Sequence, residues 1–352
     1  MSISDRVTLA QVAEAAGVSI ATASRTLAGR GDLAPATRRR VLTAARELGY
    51  SRSPRAGGRP PAATRLFDLV LGSFHHAYAD EVTAGARSAA ARHGYDLVLT
   101  EERDTPDDDW PMRIRRRGSA GVALGIMVPT ATQRAVLTEA GIPMIVVDPR
   151  AEATLPLSHV RTTDEIGGAD AATHLAAMGA TRFLVVGGNP PYRFGRARAS
   201  GFIERLSDVR PNAYVDTVTA SWGTASARDA TLNIMRELHP GERLGVFACS
   251  DDMAAGVYAA AADADRSIPH DVLVVGFDDL RESRWLLPSL TTVRQPIREM
   301  AAIAVDHLAA AAAGNPLSEN SITLPTRLIV RDSTNAHPVQ SYSSQTELAR
   351  RR

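Results

Sequence analysis

The chain has 352 residues, enough for roughly two or three domains, each with its own core. Its 44% hydrophobic and 22% charged content is that of an ordinary folded protein, and no apolar run approaches the roughly twenty residues of a membrane span. Residues from Met1 to Leu9 include Asp5 and lack the apolar stretch of a secretion signal, and the single Cys249 can form no internal disulfide, so a cytoplasmic location is expected. The net charge of +1 conceals an asymmetry: residues 1–65 hold eleven Arg against Asp5, Glu14, Asp32 and Glu47, a net +7, and residues 66–352 carry −6. A basic head on a mildly acidic body assigns any polyanion to the head. Lysine is absent throughout.

The head opens on Thr8-Leu-Ala-Gln11, a capping box in which the hydroxyl accepts a free backbone N–H and Gln11 reaches back. Leu9, Val12, Ala13 and Ala16 then recur at helical spacing, Gly17 ends the helix, and Val18 plugs the turn. Ser19 caps a second helix that points Ala23 and Leu27 inward and closes at Gly29. Two short helices joined by a Gly-containing turn form a helix-turn-helix. A third helix is expected from Pro35, burying Val41, Leu42, Ala45 and Leu48 before Gly49-Tyr50.

In such motifs the N-terminal part of the second helix enters the DNA major groove. Its expected outer side carries Ile20, Ala21, Thr22, Ser24 and Arg25. Arg25 suits either of two roles, bidentate bonding to guanine O6 and N7 or contact with a phosphate. Thr8, Ser19, Thr22, Ser24 and Arg30 are further DNA-contact candidates, with Thr37 and Arg38 on the third helix.

The run Val7-Thr-Leu-Ala-Gln-Val-Ala-Glu-Ala-Ala-Gly-Val-Ser19, followed by Ala21-Thr-Ala-Ser-Arg25, Arg40-Val41 and Leu48-Gly49-Tyr50, resembles the lactose-repressor (LacI/GalR) family. The resemblance implies a transcriptional regulator, a homodimer whose two heads bind a roughly palindromic operator on double-stranded DNA. Two departures stand out. Ala28-Gly29-Arg30 replaces the family's Asn-Gly-Arg. The family's hinge helix, whose leucine wedges into the minor groove, is replaced by Ser51-Arg-Ser-Pro-Arg-Ala-Gly-Gly-Arg-Pro-Pro61, with Arg59 where the leucine belongs. Gly57, Gly58 and Pro60-Pro61 oppose a helix. Two readings of this segment stand: an arginine arm in the minor groove using Arg52, Arg55 and Arg59, or an unstructured basic linker.

From Leu66 onward strands and helices alternate. Apolar runs at Leu66–Leu71, Leu97–Leu99, Val122–Val128 and Met144–Val147 form a first series, with helices near Asp80–His93, Trp110–Arg117 and Gln133–Ala140. Phe183–Val186, Tyr214–Val218, Gly245–Ala248 and Leu273–Val275 form a second, with helices near Glu165–Met178, Arg198–Leu206, Thr224–Leu238 and Asp252–Ala262. Periodicity alone gives α/β units with parallel sheets. The family resemblance adds a two-lobed, periplasmic-binding-protein-like effector domain. The expected organisation is a helix-turn-helix over 1–50, a hinge over 51–65, an effector and dimerisation domain over 66–336 with crossings near 164 and 290, and a polar tail over 337–352.

Ligands of open α/β sheets sit beyond the carboxyl ends of strands, which selects Ser73-Phe74-His75-His76, Asp148, Trp222 and Asp278. By resemblance, Arg198-Ala-Ser-Gly201-Phe202 matches the family's effector-binding Arg-x-x-Gly-Phe, and Val275-Gly-Phe-Asp278-Asp279 matches a signature whose first Asp binds ligand hydroxyls. Ser289-Leu-Thr-Thr-Val-Arg-Gln295 places Gln295 at the lobe crossing. In Cys249-Ser250-Asp251-Asp252-Met253-Ala254, Ser250 stands where the family has Asn, so a hydrogen bond made there is expected to be shorter in reach or absent. The effector candidates are therefore Asp148, Arg198, Trp222, Ser250, Asp278 and Gln295, with Phe74, His75, His76 and Tyr192 as weaker members. Arg and Asp side chains bonding neighbouring hydroxyls, beside a flat Trp face, suit a sugar effector. Read without the resemblance, Arg198 and Asp278 are equally a structural salt bridge, and Asp278 a helix cap.

Other chemistries find no residues. A Gly-x-x-x-x-Gly-Lys phosphate loop requires the absent lysine, and no Gly-x-Ser-x-Gly elbow or metal spacing around His75, His76 and His93 occurs. No cofactor, metal, catalytic residue or membrane partner is expected.

Overall fold

A computed structural model describes residues 8–27, 35–48, 64–102, 109–151, 157–317 and 320–335. The chain divides into two units, Met1–Ala63 and Thr64–Arg352.

The first unit holds α1 (Leu9–Ala15), α2 (Ile20–Leu27) and α3 (Pro35–Glu47). The Thr8 capping box is formed: Thr8 Oγ1 accepts from the Gln11 amide at 3.3 Å, and the Thr8 amide donates to Gln11 Oε1 at 2.7 Å. Gly17 takes φ +60°, the left-handed value that ends α1. Val12, Ala13, Ala16, Ala23, Val41, Ala44 and Ala45 form the core, with Leu9, Val18 and Leu27 packed against it. Two expectations for α3 are corrected. Leu42 is 48% and Leu48 38% exposed, because Val41, Ala44 and Ala45 occupy the inward stripe at i, i+3 and i+4.

The second unit contains two six-stranded sheets of the same design. The first uses β1 (Leu66–Leu71), β2 (Asp96–Glu101), β3 (Gly121–Gly125), β4 (Met144–Val147), β5 (His159–Thr162) and, much later in the chain, β11 (Ser321–Leu324). The second uses β6 (Arg182–Gly187), β7 (Val215–Thr219), β8 (Leu244–Ala248), β9 (Val272–Asp278), β10 (Thr291–Arg294) and β12 (Arg327–Ile329). Their orders are β2-β1-β3-β4-β5-β11 and β7-β6-β8-β9-β10-β12, parallel throughout except that β12 runs antiparallel to β10. Each order reverses beside its first strand, which opens a crevice at the carboxyl end of the sheet.

Helices α4 (Ala77–Arg92), α5 (Trp110–Arg117), α6 (Ala131–Glu139) and α11 (Ile297–Ala312) accompany the first sheet. Helices α7 (Asp164–Ala177), α8 (Arg193–Val209), α9 (Thr224–Arg236) and α10 (Asp251–Asp263) accompany the second. The chain leaves the first sheet after Thr162, returns after Gln295-Pro296, and crosses once more between β11 and β12. Strands β5, β10, β11 and β12 had no counterpart in the expected apolar runs. They are short, and β11 and β12 are half-exposed edge strands without a continuous apolar stretch.

One charged residue sits inside a strand. Asp68 on β1 is fully buried, satisfied by the hydroxyls of Thr100 and Ser119 and the guanidinium of Arg117.

Two helices are drawn together by glycines. A Cβ at Gly168 would strike the Arg198 carbonyl oxygen, and one at Gly201 the Glu165 carbonyl oxygen, so α7 and α8 touch backbone to backbone. This gives a physical reason for the glycine in Arg198-Ala-Ser-Gly201-Phe202: it sets the height of the helix that carries Arg198. Gly201→Ala is expected to cost about 1–3 kcal/mol by forcing the helices apart, read as a lower urea midpoint at unchanged slope.

Candidate functional site

In the first unit, the hydroxyls of Ser19 and Thr22 lie 2.9 Å apart, and Ser19 Oγ accepts from the Thr22 amide at 3.1 Å, capping α2. Ile20, at 54% exposure, and Ala21 face outward at the start of α2, with Ser24 half-buried, and Thr8 is exposed at the start of α1. Thr37 is half-buried on α3. Arg25 and Arg38 lie on α2 and α3, but their side chains are outside the described residues, as are Arg30, Arg52, Arg55 and Arg59 entirely.

The second unit holds a cavity of about 490 Å3 at the carboxyl ends of both sheets. Turns after β1, β3, β4, β7, β8, β9 and β10 line it, contributing Ser73, Met127, Asp148, Trp222, Ser250, Asp278 and Gln295. Several of these turns are strained. Ile126 at φ 54°, Asp148 at 52°, Trp222 at 61° and Asp278 at 112° all line the cavity, in a backbone region that L-residues avoid. Such strain persists only where surrounding structure enforces it, and it clusters at functional sites.

A buried ionic net forms the floor. Arg198 on α8 is 1% exposed. Its Nε donates to Asp164 at 3.0 Å and its Nη1 to the Cys249 carbonyl at 2.8 Å and to Asp278 at 3.4 Å. Its guanidinium carbon lies 3.8 Å from the centroid of Phe277 and 5.0 Å from that of Phe194, so two rings hold it flat. Gln295 donates to Asp278 at 2.6 Å. Arg193, at the first position of α8, donates to Asp164 at 2.8 Å and lies 3.6 Å from Asp148, joining the two lobes. Its backbone N–H also donates to the Arg150 carbonyl at 2.7 Å.

Burial raises the Asp148 carboxyl to about 7, with Asp164 adding to the rise and Arg198 and Arg193 opposing it. Burial likewise raises Asp278 to about 7 against the pull of Arg198 and the Gln295 hydrogen bond. Burial, then Asp148, pushes the Tyr78 hydroxyl, 3.4 Å from Asp148 Oδ2, well above its ordinary value. Because both acids hold protons more tightly folded than unfolded, where the value is near 3.8, their contribution to stability is full below about pH 4. It is lost as pH rises to about 7. Urea titrations from about pH 4 to about pH 8 are expected to show that decline, and Asp278→Asn to flatten it.

The remaining wall is aromatic. Trp222 packs 5.5 Å from Tyr192 and 5.1 Å from Phe194, centroid to centroid, and a Cβ at Gly188 or Gly195 would collide with its indole. Four buried polar atoms of this region make no hydrogen bond within the protein: Asp148 Oδ1, which is only ion-paired to Arg193 at 3.6 Å, Arg193 Nε, Arg198 Nη2 and Trp222 Nε1. Unpaired buried donors and acceptors are costly, so their grouping marks a surface built to meet a polar ligand.

The sequence candidates fall as follows. Asp148, Arg198, Trp222, Ser250, Asp278 and Gln295 line one cavity, as do His76 and Tyr192. Phe74 does not: its ring, half-buried, packs on the core of the first lobe, and Ser73 and His76 face the cavity instead. Asp278 caps no helix. Ser250 Oγ accepts from the Met253 amide at 3.2 Å and caps α10. Asn caps as well as Ser does, so an Asn here would keep the cap. Ser250→Ala is expected to cost about 0.5–2 kcal/mol and Ser250→Asn much less, measured by denaturant unfolding.

Tyr78, Asp164, Arg193 and Phe194 were missed. Arg193 was missed because α8 was expected to begin at Arg198, although Pro190-Pro191 already signals a helix starting just after. Asp164 lies beyond the short strand β5, which carries no strong periodic signal.

Among the described residues no group of three or more His, Cys, Asp or Glu is placed to hold a metal ion. No helix among them is long and apolar enough to cross a membrane. Cys249 is buried, and burial pushes its thiol up to about 12, which removes it as a nucleophile.

The site therefore offers guanidinium donors, carboxylate acceptors and aromatic faces in the crevice of two doubly wound lobes, in the same chain as a helix-turn-helix. Residues 8–53 match the family described as bacterial regulatory proteins, lacI family, and residues 172–334 match the periplasmic binding protein-like domain. The chain is 30% identical to the HTH-type transcriptional regulator MalR of Streptomyces coelicolor, across 94% of this chain and 97% of the relative. It is 29% identical to the ribose operon repressor of Halalkalibacterium halodurans, across 93% and 97%. Among solved structures, a transcriptional regulator CelR–cellobiose complex superposes with TM-score 0.69 at 26% identity, covering 93% of this chain and all of that one. The lac repressor dimer bound to operator and an anti-inducer shares the fold, with TM-score 0.68 at 24% identity over 94% and 100%. The chain belongs to the LacI/GalR family of DNA-binding transcriptional regulators.

Proposed function

We propose that this protein is a cytoplasmic repressor of carbohydrate-utilisation genes, a homodimer released from its operator when a sugar binds in the cavity of the second unit. The observation that carries this reading is the group of unpaired donors and acceptors beside Trp222. Arg198 Nη2 and Asp148 Oδ1 present a donor and an acceptor, the complement of neighbouring hydroxyls, while the indole suits the C–H face of a sugar ring. Relatives named as ribose operon repressors and a cellobiose-bound neighbour support the same ligand class. The reading is of binding rather than catalysis, since the guanidiniums are held by carboxylates and flat rings that fix them as donors.

The effector residues are Asp148, Arg198, Trp222, Ser250, Asp278 and Gln295, with Tyr78, Asp164 and Arg193 positioning them. Arg193 spans the lobes, so a ligand that draws on Asp148 and Asp278 shifts the balance between lobe arrangements. Ser19, Ile20, Thr22 and Arg25 form the start of the operator-reading surface, and Arg52, Arg55 and Arg59 an arm that binds the DNA backbone and minor groove.

The test is calorimetric titration of the full chain with mono- and disaccharides, beside operator binding by fluorescence anisotropy. Binding of at least one sugar is expected, with operator affinity reduced about 10–100-fold at saturation. Silence across the sugars with operator binding intact overturns the sensor reading.

A further inference from the structure

Asp278 reaches the cavity from a turn whose own residues do not favour its shape. Asp278 and Asp279, consecutive and neither of them glycine, take φ 112° and 55° where β9 ends. L-residues avoid this region, so groups outside the turn must enforce it. Asp278 lines the cavity, whereas Asp251, Asp279 and Arg331 stand behind it.

Two buried acids grip the turn from that side. Asp279, its side chain 2% exposed, is ion-paired to Arg331 and, at 2.6 Å, to Arg294. Arg331 follows β12, 52 residues further along the chain. Its Nη1 also donates to the Leu290 carbonyl at 2.7 Å and to Ser283 Oγ at 3.1 Å. One guanidinium thus ties Asp279 to the start of β10 and to the helical turn Arg281–Arg284. Asp251, the first residue of α10, accepts from the Leu280 amide at 2.8 Å and from Thr292 Oγ1 at 2.6 Å. A Cβ at Gly276 would strike the Asp251 carboxylate, so the glycine of Val275-Gly-Phe-Asp-Asp279 makes room for this grip.

Exposure ranks the cations around Asp279. The side chains of Arg294 and Arg284 are 44% and 60% exposed, and the second stands 4.0 Å away, so water screens both. Arg331, at 13%, is the counter-charge that Asp279 meets out of water.

We propose that Arg331 is a positioning residue of the effector site: through Asp279 it holds the strained Asp278-Asp279 turn and so aims the Asp278 carboxyl at Arg198, Gln295 and the cavity. This role presupposes the crevice as the effector site and gives it a residue that touches no ligand. Without the clamp the turn relaxes to ordinary φ, and Asp278 swings toward water.

The titration of the Asp278 carboxyl reads this without any ligand, by NMR of the full-length chain with 13C-labelled aspartate, assigned through Asp278→Asn. Burial, opposed by Arg198 and the Gln295 hydrogen bond and reinforced by Asp148 and Asp252, holds this carboxyl up at about 7. In Arg331→Met it is expected to fall toward the ordinary carboxylate range, about 4. The sign is diagnostic, because removing a cation from a turn that stayed in place would push the carboxyl up. If Arg331→Met does not fold, Arg331→Lys, which keeps a charge but not the planar fork, gives the same comparison. A carboxyl that stays near 7 or rises overturns the proposal. Calorimetry with maltose, cellobiose, ribose and glucose supplies a second readout: a sugar that binds the native chain is expected to bind Arg331→Met about 10-fold or more weakly. An affinity within about 3-fold of the native one also overturns the proposal. If none of the four sugars binds, the sugar reading fails for them and the titration alone decides the role of Arg331.

Discussion

Arg198→Met is expected to destabilise the second unit by about 3–5 kcal/mol and to abolish the response to sugar. The side chain is fully enclosed, so its loss exposes nothing to water that could compensate. Asp164 would keep Arg193 and the Thr162 hydroxyl, and Asp278 would keep Gln295 but no cation, leaving the buried carboxyls short of counter-charge. Burial works against the charged guanidinium, yet Asp164, Asp278 and Asp148 together raise its proton affinity, so attraction outweighs desolvation. Met fits the slot between Phe194 and Phe277, which isolates the electrostatic effect from a cavity effect. Denaturant unfolding should show a lower midpoint at unchanged slope. Stability within about 1 kcal/mol of the native chain would mean that the net contributes little to folding and that its geometry serves the ligand alone.

The second large effect concerns the head. Replacing Arg52, Arg55 and Arg59 together with Ala is expected to lower the slope of log operator affinity against log salt by about 2–3, close to 0.9 for each phosphate no longer neutralised. At about 0.1 M salt that amounts to a fall on the order of a hundred-fold or more in affinity. The reasoning is chemical: the sequence Gly57-Gly58 and Pro60-Pro61 disfavours a wedging helix, and under the proposed arm the arginines would supply ion pairs to phosphates instead. An unchanged slope would assign the segment to a linker. Arg25→Ala is expected to cost less, about 1–3 kcal/mol, and to relax base preference at a single position of each half-site.

These expectations rest on features with different visibility in the sequence. The helix-turn-helix was legible almost residue by residue, because Thr8, Gln11, Gly17 and Ser19 act through local backbone geometry. The long apolar strands were legible for the same reason that they are buried on both faces. Short edge strands such as β11 and β12 were not, since they take their pairing from a distant partner. Motif residues Arg198, Asp278 and Gln295 pointed to the cavity, yet nothing local revealed Asp164 or Arg193, which meet Arg198 and Asp148 only through tertiary contact. The positive φ of Asp148 and Trp222, which turns these side chains into the crevice, is likewise imposed by the surrounding fold rather than by residue type. Phe74 failed for the opposite reason: position at a strand end suggested the cavity, and an apolar ring found the core instead.

The most direct test is operator affinity of the full chain, measured by anisotropy at fixed salt with and without a saturating sugar that binds by calorimetry. Sugar-controlled repression predicts a drop of about 10–100-fold in the native chain and no change in Arg198→Met. An operator affinity indifferent to a sugar that fills the cavity would contradict it.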